Sequence, residues 1–234
     1  SHKWKEKEIK LMHKADVVYY PSEIEVQEIK KINSQIPAKA IVAYMFQNVV
    51  VETYHMECRK DIMFIGGFVH TPNIDAVLWF AMEIMPILKE KIPDIKFYIL
   101  GSHPTVEIQK LSDDHIIVKG FVTDEELEHY YKTCRISVVP LRYGAGIKGK
   151  VVEAMRYGMP VVTTSVGAEG ITGAEDILCI ADEAGELGEK ICALYNNKDK
   201  LTEMSKASYE YIRKNFSEEN AWKVIAEDFK KTED

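Results

Sequence analysis

The chain of 234 residues is long enough for one large α/β domain, or for one domain with part of a second. Hydrophobic residues make up 46% of it and charged residues 29%, which is ordinary for a soluble globular protein. The net charge of −7 argues against a general nucleic-acid binder, which normally carries a basic face, but it permits a local basic pocket.

Several classes of site and of location find no support in the sequence. The four cysteines are widely spaced and form no CxxC pair, which predicts reduced thiols in a cytoplasmic protein. The histidines show no HExxH spacing, so no metal site and no cofactor are expected. No apolar run approaches the roughly 18 residues that cross a bilayer, and no signal peptide is visible. Because the chain opens inside a helical pattern, we expect it to be a piece of a longer protein.

Short β-rich runs alternate with amphipathic stretches along the chain, which predicts an α/β fold. The candidate strands are Val17–Tyr20, Ala40–Tyr44, Ile62–Ile65, Lys96–Leu100, Ile116–Lys119, Ile136–Val139, Pro160–Thr164 and Ile177–Ile180. The candidate helices between them include Ile74–Lys91, Asp124–Lys132 and Lys150–Tyr157. Strand–helix–strand alternation predicts a Rossmann-like parallel sheet with helices on both faces.

The ends of several helices are also marked. Ser22 and Thr123 are each followed three residues later by a glutamate, as in a capping box, and Pro104 suggests another helix start. From about residue 184 the chain is helical without β-runs, and the predicted helices are Ala184–Tyr195, Lys198–Asn215 and Ser217–Lys231. An irregular stretch at residues 45–60 suggests a boundary. We therefore predict that residues 1–50 end a preceding domain, that 51–216 form the main domain and that 217–234 form a C-terminal helix.

Ligands of open α/β sheets bind at the carboxyl ends of the strands, and three loops there are unusual, of which Gly101-Ser102-His103-Pro104 is by itself a weak signal. Gly66 and Gly67 follow a strand and precede a helix, so that backbone N–H groups could approach a phosphate closely, although a simple tight turn is the alternative. Residues 144–150 hold three glycines with Lys148 and Lys150 at a helix start. Cations there oppose the helix dipole, and a bound anion would resolve that conflict.

Glu153 follows Lys150 by three residues and shares its helical face. A carboxylate beside a phosphate pocket is suited to accept hydrogen bonds from vicinal hydroxyls, such as those of ribose. The alternative is an intrahelical Lys150–Glu153 ion pair. An anion site with a diol acceptor indicates nucleotide binding.

These segments resemble the donor-binding domain of the group-1 glycosyltransferases, which have the two-domain GT-B fold. The resemblance covers about Asp61 to Asn220. Its most specific part is GAGIKGKVVEAMRYGMPVVTTSVGAEGI, and FIGGFVHTPNIDAV, YILGSHP, VKGFVTDEELEHYY and ISVVPL support it in the order of that family. Residues 12–28 resemble the end of the family's N-terminal acceptor domain, and the last helix resembles the one that crosses back.

The resemblance implies the roles of the matching residues. Glu153 would hold the ribose hydroxyls, Lys148 would neutralise the diphosphate, and these two are the predicted catalytic residues. The backbone of Phe121 and Val122 would meet the nucleobase edge. The full predicted donor site comprises Gly66, Gly67, His70, Gly101, Phe121, Val122, Arg142, Gly144, Gly146, Lys148, Lys150 and Glu153.

The sequence departs from the family at two places. Ala145 stands where the family often has a second glutamate near the transferred sugar. The arginine and lysine that often follow the first glycine loop are absent, and His70 is the only polar candidate there. These departures move the electrostatic role to Lys148, Lys150 and Arg142.

The chemistry implied is sugar transfer from a nucleoside diphosphate to an acceptor hydroxyl, with retention and without a bound metal. The partners would be the nucleotide sugar and a glycan or lipid-linked acceptor, held mainly by a domain outside this chain. The full-length protein would be cytoplasmic, with a peripheral position at the inner face of the membrane left open. The alternatives are a nucleotide-sugar epimerase of the same fold, with His70 and His103 as its candidate acid and base, a non-catalytic nucleotide-binding remnant, and a response-regulator or flavodoxin-like module.

Overall fold

A computed structural model describes residues 2–41 and 56–229, and the chain divides into two compact units. One unit comprises residues 1–48 and 213–234, and the other comprises residues 49–212. Most of the irregular stretch predicted as a boundary, residues 45–60, lies outside the described residues. The roles predicted for the two parts of the chain stay predictions.

The first unit is built on a short parallel β-pair. Its elements are α1 (His2–Met12), β1 (Val18–Tyr20), α2 (Glu23–Ile32), β2 (Ala38–Ala40) and α10 (Glu218–Phe229). Met12, Val26, Ile36 and Ala38 form its core. On α10, Asp228 accepts hydrogen bonds from Tyr19 and Lys39, at 2.7 and 2.5 Å, and so fastens the helix to both strands.

The second strand of this unit differs from the prediction. The sequence favours Ala40–Tyr44, but the strand runs from Ala38 to Ala40, in register with β1, and residues 42–44 lie outside the described residues. Pairing with the three-residue β1 sets the register, because Val18 N donates to Pro37 O. The apolar run alone could not reveal this partner.

The second unit has a six-stranded parallel sheet. Its strands are β3 (Lys60–Ile65), β4 (Phe97–Leu100), β5 (Ile116–Gly120), β6 (Cys134–Val139), β7 (Val161–Thr163) and β8 (Cys179–Ile180). They lie in the order β5-β4-β3-β6-β7-β8, all parallel. This is the doubly wound Rossmann order, so the predicted fold class is confirmed. The near-continuous burial of β6, and the three consecutive buried residues Ile62, Met63 and Phe64 of β3, are typical of central parallel strands.

The helices of this unit connect the strands and extend toward the C-terminus. They are α3 (Thr71–Trp79), α4 (Met85–Lys91), α5 (Val106–Gln109), α6 (Asp124–Thr133), α7 (Gly149–Arg156), α8 (Ala184–Tyr195) and α9 (Lys198–Asn215), the last of which runs into the other unit. The bounds of α8 and α9 agree with the prediction. Thr123 forms the full capping box that the sequence predicts at α6.

Two predicted helices differ in detail. The stretch predicted as one helix over Ile74–Lys91 contains a π-helical turn, Phe80–Ile84, between α3 and α4. Pro86 has no N–H to donate one turn back, and the wider turn accommodates it. Pro104 does not begin α5, because Thr105 caps that helix by accepting a hydrogen bond from Ile108 N.

Candidate functional site

The predicted glycine loops lie on either side of the topological switch point of the sheet. From β3 the chain continues to β4 and β5 on one side of the sheet. From β6 it continues to β7 and β8 on the opposite side. A crevice opens outside the carboxyl ends of the strands where the connections diverge in this way. Gly66 and Gly67 follow β3, and residues 140–148 follow β6. The fold therefore places both loops at the position where open α/β sheets bind ligands.

Hydrogen bonds join the loops that follow β3, β4 and β5. Phe68 N donates to Ser102 O at 2.9 Å, and Gly101 N donates to Gly120 O at 2.7 Å. Gly101 has a φ of +141°. A Cβ there would lie 2.0 Å from Gly66 O, so only glycine permits this approach. The structure thus brings Gly66 and Gly101 together, and their roles toward a ligand stay predictions.

Phe121 and Val122 follow directly on β5. The Phe121 side chain is 76% exposed, an unusual position for a large aromatic ring on a single domain. The structure contains no ligand contact for Phe121 or Val122 among the described residues. Their role at the nucleobase stays a prediction.

Lys150 lies against the first glycine loop. Its Nζ donates to Asn73 Oδ1 at 2.6 Å and stands 4.2 Å from the centroid of the Phe64 ring. A Cβ on Gly66 would approach that nitrogen to 2.6 Å, so the glycine leaves the space that the ammonium occupies. Burial, together with the nearby charge of Lys148, lowers the pKa of Lys150 from 10.5 to about 7.

Asn73 is a site residue that the sequence analysis did not single out. It is 8% exposed, and its Nδ2 donates to Gly67 O at 2.8 Å while its Oδ1 accepts from Lys150. One side chain therefore links the glycine loop to a residue 77 positions later. The signal available in the sequence was an asparagine directly before the predicted helix Ile74–Lys91 that follows the Gly-Gly pair.

Lys148 caps α7 with its backbone, and its side chain is turned into the protein. It is 9% exposed, and Nζ donates to Gly146 O at 2.5 Å and to Glu169 Oε2 at 2.9 Å. Gly144 and Gly146 both have positive φ, and a Cβ on Gly144 would lie 3.7 Å from the Lys148 chain. The loop therefore wraps its own lysine.

Glu153 lies one turn after Lys150, half-buried between α7 and α6. Burial raises its pKa, against the opposing effects of Tyr131 and Arg156. The Tyr131 hydroxyl is fully buried and lies close to this carboxylate, without a partner in hydrogen-bond geometry among the described residues. Lys150 donates to Asn73, and among the described residues it forms no ion pair with Glu153, so the predicted alternative of a Lys150–Glu153 pair is not seen.

The remaining predicted residues lie at the exposed rim. Arg142 is bound to Asp75 in a two-point ion pair, and this hydrogen bonding raises its pKa. Its guanidinium also stands 5.4 Å from the Trp79 ring. His70 is exposed at the start of α3 and does not cap it with its side chain. The predicted contacts of Arg142 and His70 with a ligand therefore stay predictions.

Two further properties concern the described residues as a whole. Within the described ranges, no group of three or more His, Cys, Asp or Glu side chains could hold a metal ion. Among the helices that the structure describes, none has the length and apolarity needed to span a bilayer.

A doubly wound parallel sheet with glycine loops and lysines at its switch point defines a Rossmann-like domain with a candidate anion site. Residues 59–197 match the family described as group 1 glycosyl transferases, and the chain belongs to that family. Its fold corresponds to the C-terminal half of a GT-B enzyme, as the resemblance implied.

Relatives and solved structures place the chain within larger proteins. An uncharacterised 44.6 kDa protein of the cps region of Klebsiella pneumoniae is 28% identical over 173 residues, which cover 70% of this chain and 45% of the relative. The structure of TarM matches with a TM-score of 0.81 at 20% identity, over 97% of this chain and 46% of TarM. Anabaena HepE in complex with UDP and glucose matches with a TM-score of 0.68 at 15% identity, over 92% and 63%. The chain therefore spans about half the length of the first two proteins.

Proposed function

We propose that this chain binds a nucleoside diphosphate sugar at the carboxyl ends of β3 and β6, as the donor-binding part of a glycosyltransferase. One observation carries the proposal. Lys150 is a largely enclosed amine at the switch point whose charged form is disfavoured, and its hydrogen bond goes to a neutral amide. Among the described residues, no carboxylate forms an ion pair with it. A buried ammonium is costly unless a charge compensates it, and a diphosphate would supply that charge.

The neighbouring groups suit the rest of such a ligand. The backbone at Gly67 and the start of α7 offer N–H groups to phosphate oxygens, whereas the Gly66 N–H already donates to Leu100 O at 3.0 Å. Glu153 provides a half-buried acceptor one turn along the same helix, suited to ribose hydroxyls. Lys148 and Lys150 would stabilise the charge that grows on the leaving diphosphate.

The solved structures support a nucleotide of this class. Anabaena HepE was solved with UDP and with UDP-glucose, and a Staphylococcus aureus TarM mutant was solved with UDP. For this chain, we propose transfer to an acceptor hydroxyl with retention and without a resident metal. The anomeric configuration of the product, determined by NMR with the full-length protein, tests retention.

A binding assay tests the nucleotide site directly. We expect at least one of UDP, GDP, ADP, CDP and dTDP, or its sugar, to raise the melting temperature of this chain. A ligand at 100 times its Kd stabilises the folded state by about 2.7 kcal/mol. A flat response to the whole panel would contradict the proposed site.

Matched lysine variants locate the site. Lys148→Ala should abolish detectable binding of that nucleotide in calorimetry, because a positioned donor to the diphosphate is lost. Lys206→Ala removes the same charge from an exposed position of α9 and should leave the affinity unchanged. Equal affinities of the wild type and the Lys148 variant would refute the assignment.

A second candidate function is nucleotide binding without catalysis. Ala145 favours it, because that position offers no carboxylate to a transferred sugar. The full-length protein separates the two readings. Glycosyl transfer or donor hydrolysis supports the enzyme, and nucleotide binding without either supports the non-catalytic domain.

A further inference from the structure

The loop that follows β7 provides an acidic side chain that the proposed function does not use. Glu169 Oε2 accepts a hydrogen bond from Lys148 Nζ at 2.9 Å. The lysine side chain is 9% exposed and the glutamate side chain 30% exposed, so this ion pair is only partly open to solvent. Enclosure makes such a charge pair more effective than one on the open surface.

Glu169 is held in place from both sides. Before it, Thr164 Oγ1 donates to Leu141 O and accepts from Gly167 N at 3.2 Å, so the loop is bound to the segment that follows β6. After it, Gly170 has a φ of +82°, and a Cβ there would lie 2.5 Å from Ile147 Cγ1. The backbone around Glu169 therefore lies directly against the lysine loop.

The contacts of Lys148 limit what it can offer to a ligand. An ammonium has three donors, and two of them are directed to Glu169 and to Gly146 O. A diphosphate that reached this nitrogen would place its charge beside the Glu169 carboxylate. Like charges brought together at an interface cost several kcal/mol, so the two anions compete for one cation.

We propose that Glu169 is an internal competitor of the diphosphate. The Glu169 carboxylate forms an ion pair with Lys148 while the site is empty, and this ion pair breaks when the nucleotide binds. The Glu169 charge thereby weakens nucleotide binding and promotes release of the leaving nucleoside diphosphate. Glu169 acts through Lys148 as a positioning residue, and the inference rests on the proposed function.

Removing this charge should tighten binding. Glu169→Gln keeps the size of the side chain and abolishes its charge, and we expect the Kd for UDP and for inorganic pyrophosphate to fall about tenfold or more. Pyrophosphate makes the test independent of the nucleobase. Structural damage would weaken binding, so tighter binding separates the charge effect from a general loss of order. In the full-length enzyme, a slower release of the nucleotide should accompany the gain in affinity.

The matched control is Glu175→Gln, which removes the same charge from an exposed position six residues later. It should leave both affinities unchanged. Glu169→Ala is a second variant of different shape and should also tighten binding, which protects the test if the Gln variant folds poorly.

The outcomes separate the two proposals. Unchanged or weaker binding in folded Glu169 variants, with a wild type that binds, overturns the competitor role and leaves the nucleotide site intact. Binding to the wild type that becomes tighter in both Glu169 variants supports the competitor role. No binding of UDP, pyrophosphate or any other nucleotide of the panel to the wild type or to the variants refutes the proposed function, and the competitor role with it.

Discussion

The environment of the Lys150 ammonium is the observation on which the proposed function depends most. Four groups face this ammonium: Phe64 on β3, the backbone of Gly66, Asn73 on α3 and the like charge of Lys148. Burial and the like charge of Lys148 disfavour the charged form, none of the four groups is an anion that would offset them, and the pKa falls to about 7. A bound diphosphate would reverse this effect and raise the pKa again.

This residue predicts a pH dependence of binding. In the free protein, Lys150 loses its proton as the pH rises through about 7. In the complex, Lys150 stays protonated, so above that pH the binding of the nucleotide is accompanied by the uptake of a proton. The affinity for UDP should therefore fall about tenfold or more between pH 7.5 and 9, a range in which a terminal phosphate with a pKa near 6 is already ionised. Calorimetry in HEPES and in Tris should show an uptake approaching one proton at pH 8. A pH-independent affinity, with no proton uptake, would contradict the role of Lys150.

At the scale of elements, β6 is a central strand of the sheet, and one of its residues, Ser137, has a side-chain hydroxyl without a hydrogen-bond partner among the described residues. The Ser137 side chain is fully buried, and its Oγ has no hydrogen-bond partner within the described residues. The backbone of Ser137 is paired, since its N–H donates to Pro160 O. The hydroxyl thus carries a desolvation cost without a compensating bond.

Ser137→Ala should therefore stabilise the protein. We expect the free energy of unfolding, from urea denaturation, to rise by about 1 kcal/mol. Ser205 is the matched control, because it is equally buried but donates to Gly158 O. Ser205→Ala should lower the free energy of unfolding by about 1 kcal/mol, since it leaves that carbonyl unpaired. A loss of stability in both variants would show that the Ser137 hydroxyl contributes a bond.

The elements also show which features a sequence pattern can predict. The bounds of α8 and α9 follow from their own periodicity, which is a local property. The π-helical turn was missed because its backbone geometry depends on how Pro86 is accommodated within a packed helix. The position of β2 was missed because a strand is defined by its partner, here β1.

At the scale of the whole molecule, the candidate site belongs to one of the two units. Every predicted ligand residue lies between residues 49 and 212, as do Asn73 and Glu169. The chain carries a net charge of −7, so the enclosed Lys148 and Lys150 form a local basic site in an acidic protein. The donor site should therefore respond to its ligand within this unit.

Hydrogen exchange tests this expectation. UDP should slow amide exchange in the loops after β3 and β6, at residues 66–73 and 140–150, because the bound phosphate orders them. Peptides from residues 2–41 and 218–229 should exchange at unchanged rates. Protection confined to these two segments would place the binding site elsewhere.

The sequence by itself determined the fold class, most elements of the second unit and the segments that hold glycines and lysines, because periodicity, capping and turn chemistry are local properties of the sequence. It also indicated Lys148, Lys150 and Glu153 as a group on one helix start. Only the tertiary structure decided that Asn73 holds Lys150 and that Glu169 holds Lys148. These pairs are 77 and 21 residues apart, and parallel strands bring them together at one edge of the sheet. The strand order that produces this meeting is a property of the folded sheet.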